Sequence, residues 1–358
     1  MSATEPPDLA TSIRPTTKRV LQGVIGIAAA MAIIIWGLPA VAKTSWGQVW
    51  AAVSQVPWYH TLLYTVLVLA GLGCYTFVIT GSLPGITHLR ALIVNVCGSS
   101  VSNLLPGGGA VGLAATYAIC RSWGHSLASV TTMAVVTGVW NVLARVFLPV
   151  LALLLLWLGS GSDVPRELRD AALGGSVGGL LILAVFVAVL LSPTAARRVG
   201  ASIDWLLRPI RRGARTSVAQ GLADLRTQIS GVVRTGWLKM TFGMAGFFAV
   251  YFLLFYLILA QTHALLPLPQ LFAAYAIGRL LTSIGITPGG AGVTETGTVA
   301  ALVAWGADPA GATAGVVIFA IFTYLLEVPL GAIGWTVWAL MPRDRLEGGR
   351  FTRAETPE

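Results

Sequence analysis

Residues 103–112 read NLLPGGGAVG and residues 286–295 read ITPGGAGVTE, so a Pro-Gly-Gly motif interrupts two otherwise apolar regions. These regions cover about 91–121 and 270–306, and each arm holds roughly 15 residues, or about 22 Å of helix, too short to cross a bilayer. A re-entrant helix-break-helix hairpin fits this length. Non-helical backbone at membrane depth needs protein or water around it, so such a hairpin is expected to line a cavity. The alternative is a kinked pair of ordinary short spans.

The remaining sequence has the composition of a membrane protein. Of its 358 residues, 56% are hydrophobic and only 10% are charged, whereas a soluble domain carries about 25% charged residues. The first apolar stretch, from Leu21 to Val41, has no small-x-small cleavage site, and we expect it to be a retained span. We therefore predict an all-α polytopic membrane protein with a membrane domain over 20–340. Its unbroken spans are predicted at about 20–41, 59–81, 127–158, 172–192, 238–261 and 309–340.

Lys and Arg residues are concentrated on one predicted face of the membrane. The opposite face carries only Lys43, Arg166 and Arg169. By the positive-inside rule both termini are expected in the cytoplasm. A full crossing at either broken region would scatter the positive charge over both faces, so the distribution favours two re-entrant hairpins. The segments on the positive face are 1–19, 82–90, 121–126, 193–237 and 341–358.

The segment 193–237 places apolar residues at helical spacing with arginines between them. This pattern predicts an amphipathic helix that lies on anionic headgroups. Nucleic-acid binding is the weaker alternative, because no aromatic stacking platform accompanies the charge. The tails, 1–19 and 341–358, are expected to be cytoplasmic, and the first of them, together with residues 346–358 of the second, to be disordered.

An internal repeat appears when the chain is shifted by 182 positions. The repeats cover about 85–158 and 267–340. Three predicted crossings separate the two hairpins, so the second copy is inverted, and its hairpin enters from outside. Inverted repeats with broken helices are typical of secondary transporters. The matched residues are Pro106, Gly107 and Gly108 with Pro288, Gly289 and Gly290, and Trp123-Gly124 with Trp305-Gly306.

Ionisable residues inside apolar segments are the first candidates for function, since each costs a few kcal/mol at the bilayer centre unless it is paired or hydrated. The repeat places Arg145 on Glu327 near the midplane, which permits a buried pair with either a structural or a transport role. Arg279 and Glu295 lie at similar depth on opposite arms of the second hairpin and can pair across it. These four are the ionisable site residues that the sequence predicts.

The first hairpin has a different polar character. The positions equivalent to Arg279 and Glu295 in the 182-residue register are Cys97 and Leu113. The breaks themselves leave backbone N–H groups free at a helix start, which suits a phosphate, although the glycines can also serve only the sharp turn. A neutral polar run precedes the first break, and it indicates either helix packing by small residues or a substrate contact. Its members are Asn95, Ser99, Ser100, Ser102 and Asn103.

The second motif and the segment after it carry a family resemblance. Residues 286–331 read ITPGGAGVTETGTVAALVAWGADPAGATAGVVIFAIFTYLLEVPLG. This stretch resembles the flippase-like membrane domain of the lysylphosphatidylglycerol synthases and their stand-alone relatives, and Arg145 falls where that family has an arginine. Because the chain ends shortly after its last predicted span, we expect a stand-alone member without the synthetase domain. The residues that match the family motif are Pro288, Gly289, Gly290, Gly292, Val293 and Glu295.

The resemblance implies a lipid flippase in a bacterial cytoplasmic membrane, rather than a lysyl transferase. Its cargo would be an anionic phospholipid or a polyprenyl-phosphate-linked sugar, held by the helix starts at the breaks with Arg145 and Arg279. Two alternatives stay open. One is an integral membrane enzyme acting on such lipids, and the other is a scaffold that docks an envelope-synthesis enzyme through 193–237. No cofactor or metal is expected, because the chain has no Asp-x-Asp motif and no histidine cluster. No nucleic-acid partner is expected either, because the basic residues lie almost wholly in loops on one predicted face of the membrane.

Overall fold

The structure, a computed structural model, describes residues 45–104, 108–158, 218–282 and 291–342, with isolated positions at 35–36 and between 177 and 198. The described residues contain no strand. The helices in the continuous ranges are α1 (Trp46–Ser54), α2 (His60–Ser82), α3 (His88–Leu104), α4 (Gly108–Ser122), α5 (Leu127–Leu158), α6 (Val218–Gln261), α7 (Leu268–Leu281), α8 (Val293–Ala304), α9 (Pro309–Ala320) and α10 (Glu327–Leu340).

Four helical stretches among the described residues are long and apolar enough to cross a membrane. Three of them confirm the spans predicted at 59–81, 127–158 and 309–340, and the fourth contains the span predicted at 238–261. The chain is therefore an all-α polytopic membrane protein. The predicted spans at 20–41 and 172–192, the tails 1–19 and 343–358, and residues 193–217 lie outside the continuously described ranges. The four stretches are His60–Ser82, Leu127–Leu158, Ile229–Gln261 and Pro309–Leu340.

Helix α6 runs without interruption through the boundary that the sequence predicts between an amphipathic segment and a span at residue 238. The reason is packing on α2 on both sides of that boundary. Gly236 approaches Gly81 so closely that a Cβ would collide with the Gly81 carbonyl. Met240 is fully buried and touches the same glycine. The end of the predicted segment 193–237 thus belongs to a helix that continues into the span.

The last span contains a π-helical turn at Ile321–Leu325, between α9 and α10. The Leu326 amide reaches back to the Ile321 carbonyl at 3.0 Å, five residues earlier. Pro329 follows within one helical turn and has no N–H to offer the Leu325 carbonyl. Such π-turns inside α-helices are frequent at functional sites. Glu327 lies two residues after the end of this one.

Each Pro-Gly-Gly break is flanked by two short helices that pack against each other, α3 with α4 and α7 with α8. Helix α3 also packs along α10, and α7 packs along α5. The first arm of each predicted hairpin therefore contacts the long span of the other repeat. This reciprocal exchange fits an inverted repeat, while the inversion and the re-entrant path of the hairpins stay predictions.

The turns that follow the two hairpins have the same backbone structure. Gly124 and Gly306 both adopt a left-handed conformation, with φ of 81° and 89°, which a residue with a side chain rarely adopts. The next amide bonds the carbonyl five residues earlier in both turns, at 3.2 Å to Cys120 and 3.1 Å to Leu302. These are Schellman motifs. The 182-residue register predicted from the sequence thus applies to the backbone of both turns.

Candidate functional site

The second hairpin encloses two of the predicted ionisable residues. Arg279, near the end of α7, is 9% exposed, and Glu295, in the first turn of α8, is 5% exposed. Together with Thr294 they line one cavity of about 10 Å³, which is close to the space that a single water molecule needs. The structure therefore brings Arg279 and Glu295 to one place, as their spacing around the break predicts.

The guanidinium of Arg279 lies against aromatic rings. Its central carbon is 5.4 Å from the ring centroid of Tyr275 and 5.0 Å from that of Phe319. Such cation–π contacts stabilise a desolvated guanidinium. Its positive charge also acts on the carboxylates of Glu295 and Glu327. The Nε atom is buried and has no hydrogen-bond partner among the described residues.

Glu295 has a structural role as well as a place in this cavity. Its Oε2 accepts a hydrogen bond from the backbone N–H of Gly292, the residue just before α8. A glutamate at the third helical position that reaches back in this way satisfies a free donor at the helix start, and its charge complements the helix dipole. Glu295 therefore holds the beginning of α8 in place beside Arg279.

The structure joins two predicted site residues that lie in different repeats. Asn103, near the end of α3, donates from Nδ2 to Oε2 of Glu327 at 3.2 Å. The same amide approaches the carbonyl of Tyr324, in the π-turn, at 3.4 Å. Glu327 is 8% exposed. The first hairpin, close to its break, is thus tied to the irregular point of the last span.

Arg145 lies half-buried on α5. Its charge interacts with that of Arg279 and with Tyr75, Tyr275 and Tyr324. All four predicted ionisable residues thus belong to one electrostatic neighbourhood. Ser99 and Asn103 are the hydrogen-bond partners of the Glu327 carboxylate, and an ion pair between Arg145 and Glu327 stays a prediction.

A larger cavity of about 250 Å³ lies between the first hairpin, α2 and α5. Asn141 donates from Nδ2 to the hydroxyl of Tyr75 at 2.7 Å across its wall. Asn141 stands near the middle of α5, so this part of the cavity lies deep among the spans. The polar residues that line it are Tyr75, Asn95, Ser99, Ser102, Thr116, Thr137 and Asn141.

The neutral polar run before the first break lies partly on the wall of this cavity and partly between packed helices. Asn95, Ser99 and Ser102 line the larger cavity. Ser100 packs instead against Gly331 of α10, where a Cβ would have no space. Sequence reasoning missed Tyr75, Thr116, Thr137 and Asn141. A signal existed for Asn141, since it is an amide in an apolar span, one helical turn before Arg145.

The equivalence between the arms needs a correction. A Cβ on Gly98 would touch the hydroxyl of Thr116, and a Cβ on Gly278 would touch that of Thr298. The two arms of each hairpin therefore cross at a glycine and a threonine, and Gly98 in the first hairpin corresponds to Gly278 in the second. The residue after Gly278 is Arg279, so its structural equivalent is Ser99, and not Cys97 as the 182-residue register predicts. The second hairpin has two more residues between this glycine and its break, which shifts the register in this arm.

The breaks lie mostly outside the described residues, including Pro106, Gly107, Pro288, Gly289 and Gly290. Gly108 is described, as the first residue of α4. Its carbonyl accepts a hydrogen bond from the Ser102 hydroxyl at 3.1 Å, and a Cβ on it would collide with the Ser102 backbone. This close approach to Ser102 accounts for the glycine at position 108. An anion site at the breaks stays a prediction.

The fold contains four apolar helices and two pairs of short packed helices, which surround buried charged and polar side chains. This arrangement defines a polytopic membrane protein with a polar interior. The family model described as lysylphosphatidylglycerol synthase TM region matches residues 23–331. The chain belongs to this family, as the motif around Pro288 implies. A comparison with curated proteins finds no match. Among the described residues, no three His, Cys, Asp or Glu side chains come together as a metal site.

Proposed function

We propose that this protein moves a lipid with a phosphate-containing headgroup between the two leaflets of a membrane, without changing the lipid chemically. The cargo is an anionic phospholipid or a polyprenyl-phosphate-linked sugar. The cavity of about 250 Å³ carries the proposal. A polar headgroup loses several kcal/mol of hydration in hydrocarbon, and hydrogen-bonding groups along a cavity between the spans lower this barrier while the tails stay in the bilayer.

The buried residues beside the cavity support a transport role. Glu327 and Arg279 remain in the interior at a cost that purely structural helices avoid. Asn103 links the first hairpin to the π-turn, so a movement of this hairpin would alter the wall formed by Ser99 and Ser102. The excess of Lys and Arg on one predicted face supports cytoplasmic termini, and the family supports a bacterial cytoplasmic membrane.

The test uses purified protein in liposomes that contain a lipid with a fluorescent acyl chain, either phosphatidylglycerol or the sugar lipid phosphatidylglucoside. Fluorescence quenching by external dithionite measures how fast protected lipid reaches the outer leaflet, with and without a pH gradient. We expect the protein to accelerate the movement of at least one of these lipids at least tenfold over protein-free liposomes. Rates equal to those of protein-free liposomes for both lipids, with and without the gradient, would contradict the proposal.

A cavity-filling variant sharpens the experiment. Gly138 lines the cavity, and a Cβ on it meets no atom within 4 Å, so the side chain of Gly138→Leu starts in open space and occupies part of the cavity. We expect it to remove most of the acceleration. The matched control is Gly231→Leu, because Gly231 lies on an exposed face of α6 and its Cβ also meets nothing within 4 Å. This control should move lipid at the wild-type rate.

A further inference from the structure

The polar groups that line the larger cavity limit the kinds of lipid headgroup that fit it. Its polar lining consists of hydroxyl and amide groups, and no charged side chain is among the described residues that line it. Hydroxyls and amides both donate and accept hydrogen bonds. Tyr75 accepts from Asn141, so its own hydrogen can be directed to an oxygen of a ligand. A wall of this kind matches a headgroup with many hydroxyls and no charge of its own.

A cationic headgroup would find no matching charge at this wall. Removing a cation from water costs several kcal/mol unless a carboxylate compensates for it. One carboxylate stands behind this wall, that of Glu327, and it already receives a hydrogen bond from Asn103. It also interacts with Ser99, which stands on the cavity wall. The positive charge that acts on Glu327 already comes from Arg279, so this carboxylate is not a vacant site for a cation.

An anionic group has a partner just beyond the cavity. Arg145 follows Asn141 by one helical turn, and residues four apart lie on the same face of a helix. Arg145 therefore places a positive charge next to the amide that lines the cavity. A guanidinium is well suited to a phosphate, because it presents several donors in one plane. Along α5, the neutral wall residues Thr137 and Asn141 are thus followed by the cation Arg145.

We infer that the cargo is a lipid whose sugar headgroup is joined to the tail through a phosphate, with the uncharged sugar in the cavity and the phosphate at Arg145. The inference rests on the proposed function and selects one of its two cargo classes. It excludes an aminoacylated, cationic headgroup for this chain. Two glycines on the wall, Gly109 and Gly138, leave room for a ring to approach the backbone, because a Cβ on either would meet no atom within 4 Å.

The test compares three fluorescent lipids with the same acyl chains and the same phosphate. They are phosphatidylglucoside, phosphatidylglycerol and lysylphosphatidylglycerol, which end in a sugar, a small neutral alcohol and a cation. With wild-type protein in liposomes, we expect phosphatidylglucoside to move at least tenfold faster than lysylphosphatidylglycerol, and faster than phosphatidylglycerol. Equal rates in either comparison, or faster movement of the lysyl lipid, would overturn the inference. If none of the three lipids moves faster than in protein-free liposomes, the proposed function fails together with the inference.

A pair of isosteric variants tests whether the cavity sets this preference. Thr137→Asp adds a carboxylate to the wall, and Thr137→Asn adds a similar volume without charge. We expect Thr137→Asp to narrow the rate ratio between the sugar and lysyl lipids at least threefold, and Thr137→Asn to keep it. If both variants change the ratio alike, the wall does not recognise the charge of the headgroup, and the inference is wrong.

Discussion

Arg279 is a buried cation, and the side chains around it satisfy most but not all of its polar groups. Tyr275 and Phe319 cover its guanidinium, and Glu295 lines the same small cavity. Two polar atoms at this cavity, Arg279 Nε and Thr294 Oγ1, are buried without hydrogen-bond partners among the described residues. A cavity of about 10 Å³ beside two such atoms has the size and the polarity that a bound water requires. We therefore expect one water molecule to complete their hydrogen bonding.

The variant Thr294→Val tests for this water, because the sign of its effect on the free energy of unfolding depends on whether the water is present. If a water bridges the two atoms, Thr294→Val removes one of its partners and should lower the free energy of unfolding by about 1 kcal/mol. If the hydroxyl has no partner, its removal should raise stability instead. Unfolding by denaturant titration in detergent micelles distinguishes the two results.

Thr313→Val is the matched control for this measurement. Thr313 is fully buried on α9, and its hydroxyl donates to the Pro309 carbonyl at 2.7 Å, within its own helix. Loss of such a local bond should change stability by less than about 0.5 kcal/mol, because that carbonyl keeps its helical partner. An equal effect in both variants would argue against the water.

At the scale of the elements, the helices could be predicted from the sequence more fully than their contacts. The bounds of α2 and α5 follow from runs of apolar residues, since the bilayer sets their length. The site depends on tertiary pairs instead. Asn141 and Tyr75 are 66 positions apart, and Asn103 and Glu327 are 224 apart. No local pattern encodes such pairs, so Asn103 and Glu327 were predicted as site residues but not as partners.

The contact between α3 and α10 can be measured through that pair. Asn103→Leu leaves Glu327 without its amide donor and should lower stability by about 1–3 kcal/mol. A double-mutant cycle with Glu327→Met isolates the interaction, and we expect a coupling energy above about 0.5 kcal/mol. A second cycle combines Glu327→Met with Asn95→Leu, which changes an amide of the same helix on the cavity wall. Additive effects in the first cycle would show that the two elements do not depend on this contact.

The two Trp-Gly turns provide a test of the repeat as a structural unit. Gly124 and Gly306 share a left-handed conformation and the same hydrogen bonds. Gly124→Ala and Gly306→Ala should each lower stability by about 1–2 kcal/mol, because a Cβ is strained at positive φ. Gly231→Ala, inside α6, should raise it by roughly 0.5–1 kcal/mol through helix propensity. Thermal unfolding of the three variants checks these signs, and a cost at only one of the turns would contradict their equivalence.

The whole molecule depends on contacts exchanged between its halves. Helix α3 packs on α10 and α7 packs on α5, so neither hairpin rests on its own repeat alone. A shift of one hairpin therefore changes the wall that the other half presents to the interior. Equivalent contacts do not make the halves chemically equivalent, because Ser99 stands in the first arm where Arg279 stands in the second. The neutral side forms the larger cavity, and the charged side forms the compact one.

The predicted inversion can be tested at two equivalent positions, Ala128 and Ala310, which stand near the starts of α5 and α9. If the second repeat is inverted, Ala128 faces the cytoplasm and Ala310 faces outside. Each is replaced by cysteine in a Cys74→Ala background, since Cys97 and Cys120 are fully buried. A membrane-impermeant maleimide added to intact cells should label Ala310→Cys, while Ala128→Cys should react only after the membrane is opened. Labelling of both variants from the same side would mean that the repeats are parallel, and the excess of Lys and Arg on one face would then need another explanation.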